Sequence, residues 1–582
     1  MLTTSPHSNR LLRCRMLFAQ SIGHRLRESS YSTSSSPPPG ANIKTTAFLS
    51  IALLTSAYLL YQYESSSKNT ILTATLGGRP VTLLPKKNST FQFNVQTNRG
   101  LQTFEFERKS DEEVEKMLRE NENSQKVKRA GNPVIRWDNN WVGSNDPCED
   151  RWANDLVPRK QTAIERLNEA TAFWISWFKD DSQASLAETE GKRDLMLFSI
   201  MDGHAGDATS RLLQKSLNPT IALALAGLQA GHFPDENGWS SWSKYWSPWY
   251  YLGFEKIWTP ENVSQTVQQA YLQLDDNICR TPIYLLPTVI STSTDLSAQA
   301  ARQTFVALAQ SANAGACAIT TLVDSESDDL YVALAGDCRA VAGWQGIDGQ
   351  WRCDVLTEDQ MGENPREIER IISEHPPHEK DTAIRKGRVL GGLQPTRAFG
   401  DAIYKWTNQQ VAEIADMFSA EGQKSRLSRP HSYTPPYVTA KPEVAYRKLH
   451  SKLGEELKFI IMATDGLWDR LTSEEATLLV ASYLAHSSHP PVYKTSLPKL
   501  FPLSSPLPLF QRLYPAQNYP QPEGETWVYE DDSNAATHLI RNSLAGGNLD
   551  LRAKLLSLTG KVSRWMRDDV TVTVIFFGNG QE

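Results

Sequence analysis

This chain is poor in the residues that would build a redox or zinc centre. Its 582 residues include six cysteines, Cys14, Cys148, Cys279, Cys317, Cys338 and Cys353, and no two form a CxxC pair. That spacing excludes a zinc knuckle and a dense disulfide framework, and it reads as mostly reduced, buried thiols. Positive charge is short as well. Lys and Arg number 60 against 66 Asp and Glu, giving a net charge of -6. Without a global basic footprint, nucleic acid is set aside as a partner. Familiar nucleophile motifs are also missing. There is no GxSxG, no P-loop GxxxxGK and no Cys-x5-Arg for a cysteinyl-phosphate route. Apolar residues make up 40% and charged residues 22%, the balance of a globular chain. Length alone predicts about three to five domains.

Acid is nearly absent from the amino terminus. Between Met1 and Tyr63 the one acidic residue is Glu28, against Arg10, Arg13, Arg15, Arg25, Arg27 and many serines. That composition predicts an organellar presequence over 1–44, with a disordered basic tail as the alternative. Thr45 to Tyr63 carries no charge and has about the minimum length to span a bilayer as a helix. Tyr58, Tyr61 and Tyr63 would sit at one interface. SSSPPPG (Ser34–Gly40) and Ser65–Ser67 bracket the segment with linker composition. We read 45–63 as a transmembrane anchor behind a cleavable presequence. Loop charges leave open which membrane face carries the body.

The stretch 64–130 reads as a polar linker with one helix. Ser110-Asp-Glu-Glu113 has the form of a capping box and opens that helix, which runs to Glu120. The catalytic body is expected over 131–582. Val570–Ile575 and Lys458–Ala463 read as strands, and Leu330–Gly343 as two strands turned at Gly336-Asp337. Pro365–Glu374 and Ser473–Ala485 read as helices. Strands collected with helices outside them predict two packed sheets covered by helices. Insertions are expected near 161–191, with helical spacing, and 490–531, a Pro- and aromatic-rich surface excursion. The Trp-rich run Trp239–Tyr250 is open to two readings, a local satellite core or a partner-docking face.

What the chain does have is aspartate where apolar runs end. Asp202 follows Leu195–Met201, Asp337 follows Leu330–Gly336 and Asp465 follows Phe459–Thr464. Asp568 precedes Val570–Phe577, and Asp401 closes Arg397–Gly400. Carboxylates at strand ends, with no His or Cys cluster, point to a hard cation held by oxygen. Unpaired buried carboxylates would cost several kcal/mol unless paired or metal-bound. In Asp202-Gly203-His204 the aspartate offers two oxygens to bridge ions. Gly203 lets a backbone carbonyl approach, and His204 stands where a general acid would. Alone, DGHAG is equally a tight turn. Glu149-Asp150, Asp465 with Asp469, and Asp568-Asp569 turn it into a set. Asp465 and Asp469, four apart, share a side if a helical turn begins there. Two ions about 3.5–4 Å apart would activate a water and clamp phosphoryl oxygens, so attack of a metal-bound hydroxide on a phosphate ester fits.

Several runs carry a resemblance. Glu149-Asp150, FSIMDGHAG (Phe198–Gly206), ALAGDCRAV (Ala333–Val341), RAFGD (Arg397–Asp401), ATDGLWD (Ala463–Asp469) and RDDVTVTV (Arg567–Val574) resemble the type 2C metal-dependent protein Ser/Thr phosphatases. The likeness spans Pro133 to Phe577. It implies an α+β fold, a four-layer α-β-β-α sandwich of two antiparallel sheets, with Mg²⁺ or Mn²⁺ between them. It implies that Asp202 bridges two ions, that Asp465 and Asp568 hold one, and that Glu149 and the Gly203 carbonyl hold the other. Asp150 would order metal-bound water and His204 would protonate the leaving seryl oxygen. Asp337 and Asp469, with Asp465, match a weaker third site. Asp401 has no ligand role in this scheme. GGLQPTRAFGDAIYKW (Gly391–Trp406), TEDQMGENPREIERIISEHP (Thr357–Pro376), YVTAKPEV (Tyr437–Val444) and SNAATHLIRNS (Ser533–Ser543) resemble mitochondrial pyruvate dehydrogenase phosphatase catalytic subunits. That likeness implies a mitochondrial location and the pyruvate dehydrogenase complex, through its alpha subunit, as substrate; the anchor expected at 45–63 would add inner-membrane association. Where most of the family carries a phosphate-binding Arg, this chain has Asn145, and Arg151 is the stand-in considered. Two alternatives remain: the same chemistry on another mitochondrial phosphoprotein, or an inactive phosphoprotein-binding module.

Overall fold

Strand periodicity decides where each side chain goes. In Asp194–His204, Leu195, Leu197 and Met201 point to one face while Met196, Phe198 and Ile200 point to the other. Both faces are apolar, so the strand must be covered on both sides. The same holds for Asp329–Ala335: Tyr331, Ala333 and Ala335 face one core, and Leu330, Val332 and Leu334 face another. The computed structural model describes residues 89–97, 100–144, 146–158, 194–229, 258–291, 296–418, 429–451, 454–485, 488–504, 526–530 and 532–578. All of them fall within one unit, Ser66–Glu582.

Two antiparallel sheets result. The first runs in the order Trp351–Val355, Arg339–Gln345, Glu456–Ala463, Val570–Phe577, Val134–Val142 and Asn123–Lys126. The second runs Glu443–Lys448, Asp329–Ala335, Gly315–Asp324, Asp194–His204 and Arg151–Pro158, with Phe399–Gly400 paired onto Gly315–Ala316. Between the sheets lies a core that includes Trp137, Phe198, Ile319, Val332, Ile460 and Ile575. Helices Ala208–Gln229, Pro260–Ser291 and Leu296–Asn313 cover the outside of the second sheet. Ser473–Ala485, Ala535–Ser543 and Leu549–Ser557 cover the outside of the first. The expected four-layer α-β-β-α sandwich is what forms. A bulge between Leu457 and Phe459 lets Leu457 join Ile460 and Met462 on the inner face.

Several local expectations hold. Ser110 caps Asp111–Arg119 as a full capping box: Glu113 N–H donates to Ser110 Oγ at 3.2 Å, and Ser110 N–H donates to Glu113 Oε2 at 2.8 Å. Pro365–Glu374 and Ser473–Ala485 are helices. The strands flanking Gly336-Asp337 also form, but in different sheets. The turn is therefore a crossing between layers, not a hairpin, and it carries Asp337 to the sandwich edge.

Other expectations need correction. From Thr90 the stretch 64–130 is not a polar linker. Thr90–Thr97 and Gly100–Glu107 pair as a hairpin. Its Phe91, Phe93, Phe104 and Phe106 pack on Leu555, Leu558 and Val562. Val114 and Leu118 of the following helix are buried, and Asn123–Lys126 is an edge strand of the first sheet. The excursion 490–531 is not wholly superficial. Ser488–Tyr493 pairs with Thr526–Glu530, and alternation drives Trp527 and Tyr529 into the helix-covered core. Among the described residues no helix is long and apolar enough to cross a membrane. The presequence 1–44, the anchor 45–63, the 161–191 insertion, the Trp239–Tyr250 run and Asn145 lie outside the described residues.

Candidate metal centre and active site

The sandwich gathers the acidic strand ends at one place. Ala463 pairs with Val572 and with Arg339, and Met201 pairs with Arg151 and Ala318. Antiparallel pairing therefore puts the exits of Glu456–Ala463 and Asp194–His204 beside the starts of Val570–Phe577, Arg339–Gln345 and Arg151–Pro158. Toward this end the inner face turns polar, with buried Asn139, Asp150, Thr464, Thr571 and Thr573.

Ligand atoms of Asp202, Asp337 and Asp465 lie within 4.8 Å of one another. Asp337 thus joins Asp202 and Asp465 directly. Burial pushes the Asp202 carboxyl well up, and nearby Asp465, Asp150 and Asp337 push it further. Burial and then Asp465 raise Asp337 to about 7. Asp469, on the turn begun by Asp465–Trp468, is raised to about 7 by burial, Asp465 and Asp337. Burial also raises Asp465, with the positive charge of Arg564 pulling it part of the way back. Carboxylates crowded until they resist ionisation fit a hard divalent cation, which oxygen ligands accept and which would remove the repulsion.

The Glu149-Asp150 loop is built around Asp569, which the sequence reading left without a role of its own. Asp569 accepts from Ser144 N–H at 2.5 Å and Ser144 Oγ at 2.9 Å, and its other oxygen accepts from Glu149 N–H at 2.7 Å. Glu149 Oε1 accepts from Gly206 N–H at 2.6 Å, and burial raises the Glu149 carboxyl. Gly203 must be glycine, because a Cβ would collide with the Glu149 carbonyl oxygen. Ser210 Oγ donates to that same oxygen. Asp150 is buried, accepts from Thr464 Oγ1 at 2.9 Å, and has its pKa pushed well up by burial and then by Asp569. Asp568 accepts from Asp569 N–H at 2.7 Å and is ion-paired with Arg564.

His204 has a partner that the spacing hid. Its Nε2 lies 2.6 Å from Asp401 Oδ2, across 197 residues of sequence. Phe399–Gly400 pairs with the start of Gly315–Asp324 and delivers Asp401, at φ 48, onto the imidazole. A Cβ on Gly315 would overlap both side chains. Burial would lower the His204 pKa, but Asp401, with Asp337 and Glu149 behind it, outweighs burial and the net shift is upward. Asp401 is therefore not inert in the site, although it is not a ligand. Arg151 is a poor stand-in for phosphate binding. It donates to the Cys148 and Asp150 carbonyls at 2.7 and 2.6 Å and pairs with Asp207 at 2.9 Å.

Comparison with known proteins agrees with this geometry. Residues 260–492 match the family described as Protein phosphatase 2C. A Schizosaccharomyces pombe protein named as a protein phosphatase 2C homolog is 33% identical over 498 residues, spanning 84% of this chain and 89% of its own length. The Saccharomyces cerevisiae mitochondrial pyruvate dehydrogenase (acetyl-transferring) phosphatase 1 is 31% identical over 552 residues, 91% of this chain and 85% of that one. The human mitochondrial pyruvate dehydrogenase (acetyl-transferring) phosphatase 2 is 29% identical over 508 residues, 81% of this chain and 84% of that one.

Proposed function

Since the chain belongs to the protein phosphatase 2C family and is a metal-dependent protein serine/threonine phosphatase, we propose that it removes phosphate from phosphoserine on the mitochondrial pyruvate dehydrogenase complex, at the alpha subunit. The observation that carries the chemistry is the convergence of Asp202, Asp337 and Asp465 on one point. Relatives named as pyruvate dehydrogenase phosphatases support the substrate.

In this reading Asp202, Asp465 and Asp568 would hold one Mg²⁺ or Mn²⁺ ion, and Asp202, Glu149 and the Gly203 carbonyl would hold a second. Asp337 and Asp469, with Asp465, would hold a weaker third. Such cations supply the positive charge that activates water and offsets charge on phosphoryl oxygens. Asp150, held by Thr464, orients the attacking water. Asp569 fixes the loop so that Glu149 and Asp150 keep their places. His204, kept protonated by Asp401, hands its proton to the departing seryl oxygen. Asp401→Asn then slows a phosphoserine peptide more than p-nitrophenyl phosphate, whose leaving group needs no proton. Equal slowing removes the general-acid role.

A presequence over 1–44 and attachment to the inner membrane through 45–63 complete the proposal. The uncharged run 45–63 also favours a second reading, the same reaction on a membrane-associated mitochondrial phosphoprotein. Phosphorylation of the pyruvate dehydrogenase alpha subunit is compared in cells with and without this protein. A rise on its loss is expected; an unchanged level rejects that substrate and leaves the second reading.

A further inference from the structure

A phosphate dianion approaching this site meets a wall of carboxylates, so its docking calls for fixed positive charge nearby. Most candidates are committed elsewhere. Arg151 is bound to Asp207 and two carbonyls, and Arg339 is paired with Asp359 at 2.5 Å. Arg567 is buried beneath the loop at 3% exposure, where burial lowers it to about 10. His204 is held by Asp401.

Arg564 is placed differently. It lies in the last turn of Gly560–Met566, and its side chain is 36% exposed. Among the described residues its ion-pair partner is Asp568 alone. Asp568 follows directly on the buried Arg567 at the edge of the carboxylate cluster, and the positive charge of Arg564 is felt by Glu149, Asp202 and Asp465 as well. A guanidinium has five N–H donors, and contact with one carboxylate oxygen leaves a fork free. The helix that presents it is firmly seated. Val562 is buried, and Trp565 meets Phe104 of the amino-terminal hairpin edge-on at 6.3 Å between ring centres.

We propose that Arg564 binds the substrate phosphate, its guanidinium donating to two non-bridging oxygens as phosphoserine enters the carboxylate cluster. The inference rests on the phosphatase reading of this site. It also explains how a chain with uncharged Asn145 and a committed Arg151 can hold a dianion.

The test compares the full chain with Arg564→Met and Arg564→Lys, each with Mn²⁺. For Arg564→Met the KM for a phosphoserine peptide rises about tenfold or more, the scale of a charged hydrogen-bond pair. Inhibition by inorganic phosphate weakens by a similar factor, and so does phosphate binding followed by calorimetry. Mn²⁺ activation does not weaken, because the substitution takes a positive charge away from Asp568. Arg564→Lys recovers part of the loss, as a point charge without the fork. Unchanged phosphate affinity in Arg564→Met overturns the proposal. So does a shifted Mn²⁺ constant with unchanged phosphate affinity, which would mean that Arg564 serves only to hold Asp568. A wild-type chain that releases no phosphate with either metal sinks the phosphatase reading instead, and the calorimetric arm still decides Arg564.

Discussion

Two clusters of buried charge lie at different places in this sandwich, and they are opposites. Around Arg541 every carboxylate has a guanidinium. Arg541 meets Glu115 at 2.6 Å, Glu530 at 2.6 Å and Asp532 Oδ1 at 2.7 Å, while Arg119 shares that Asp532 oxygen and Arg552 takes the other oxygen of Glu530, each at 2.9 Å. Burial alone would raise Glu115, yet hydrogen bonds from Arg541 and Arg119 hold it down at about 2. Around Asp202 the carboxylates face one another, and the same burial pushes Asp337 and Asp469 up to about 7. The paired cluster clamps the helix Asp111–Arg119 to the strand Thr526–Glu530 and the helix Ala535–Ser543. In the other, Asp202, Asp337 and Asp469 have no ion-pair partner among the described residues, an arrangement suited to a cation. Buried charge alone therefore marks nothing; an excess of carboxylates over fixed cations does.

The contrast breaks most severely at Arg541. Arg541→Met takes the central guanidinium from Glu115, Glu530 and buried Asp532, leaving Arg119 and Arg552 alone to face them, and removing one partner of a buried pair costs about 3–5 kcal/mol. Urea unfolding of the variant measures it, with the Mn²⁺ activation constant unchanged. A loss below about 1 kcal/mol would mean that the network is not a brace.

Removing a carboxylate from the other cluster has the reverse effect on stability. Asp465→Asn lowers phosphatase activity about a hundredfold or more, because a ligand is lost. In chelator, however, the variant melts higher than wild type, on the order of 1–2 °C, because repulsion with Asp202 and Asp337 is relieved. A lower melting temperature in the metal-free state would show that Asp465 has a structural partner after all.

The sequence made the second cluster far more legible than the first. Asp202, Asp337, Asp465 and Asp568 each adjoin an apolar strand, so local periodicity alone places them at strand ends. Their meeting depends on which strands pair, and that came from the family motifs. Arg541, Asp532 and Glu115 look like ordinary helix and loop charges, because nothing within a few residues tells a buried guanidinium from a solvated one. The link of His204 to Asp401 spans 197 residues and leaves no spacing signal. The Phe91, Phe93, Phe104 and Phe106 alternation was visible as a pattern. It does not distinguish a packed hairpin from a linker, because the face it covers, Leu555 to Val562, lies more than four hundred residues away.

A smaller effect separates the two clusters by pH. An unfolded Asp titrates near 3.9. In the metal-free fold Asp337 and Asp469 stand at about 7. Between those values the folded state holds protons that the unfolded chain has released, so stability falls as pH rises from about 4 to about 7. Glu115 runs the other way. Its folded value of about 2 lies below the unfolded value near 4.3, so its contribution is full above that and is lost as pH falls toward 2. Between pH 5 and pH 7 Glu115 stays ionised in both states, so that interval reads the raised carboxylates and not the Arg541 brace. In chelator, wild type should lose more stability between those two values than a chain carrying Asp337→Asn and Asp469→Asn together. Saturating Mn²⁺ should flatten the wild-type slope, because the cation displaces the protons that cause it. Equal slopes for the two chains in chelator would mean that these carboxylates ionise freely, and that crowding is not what prepares the site for a cation.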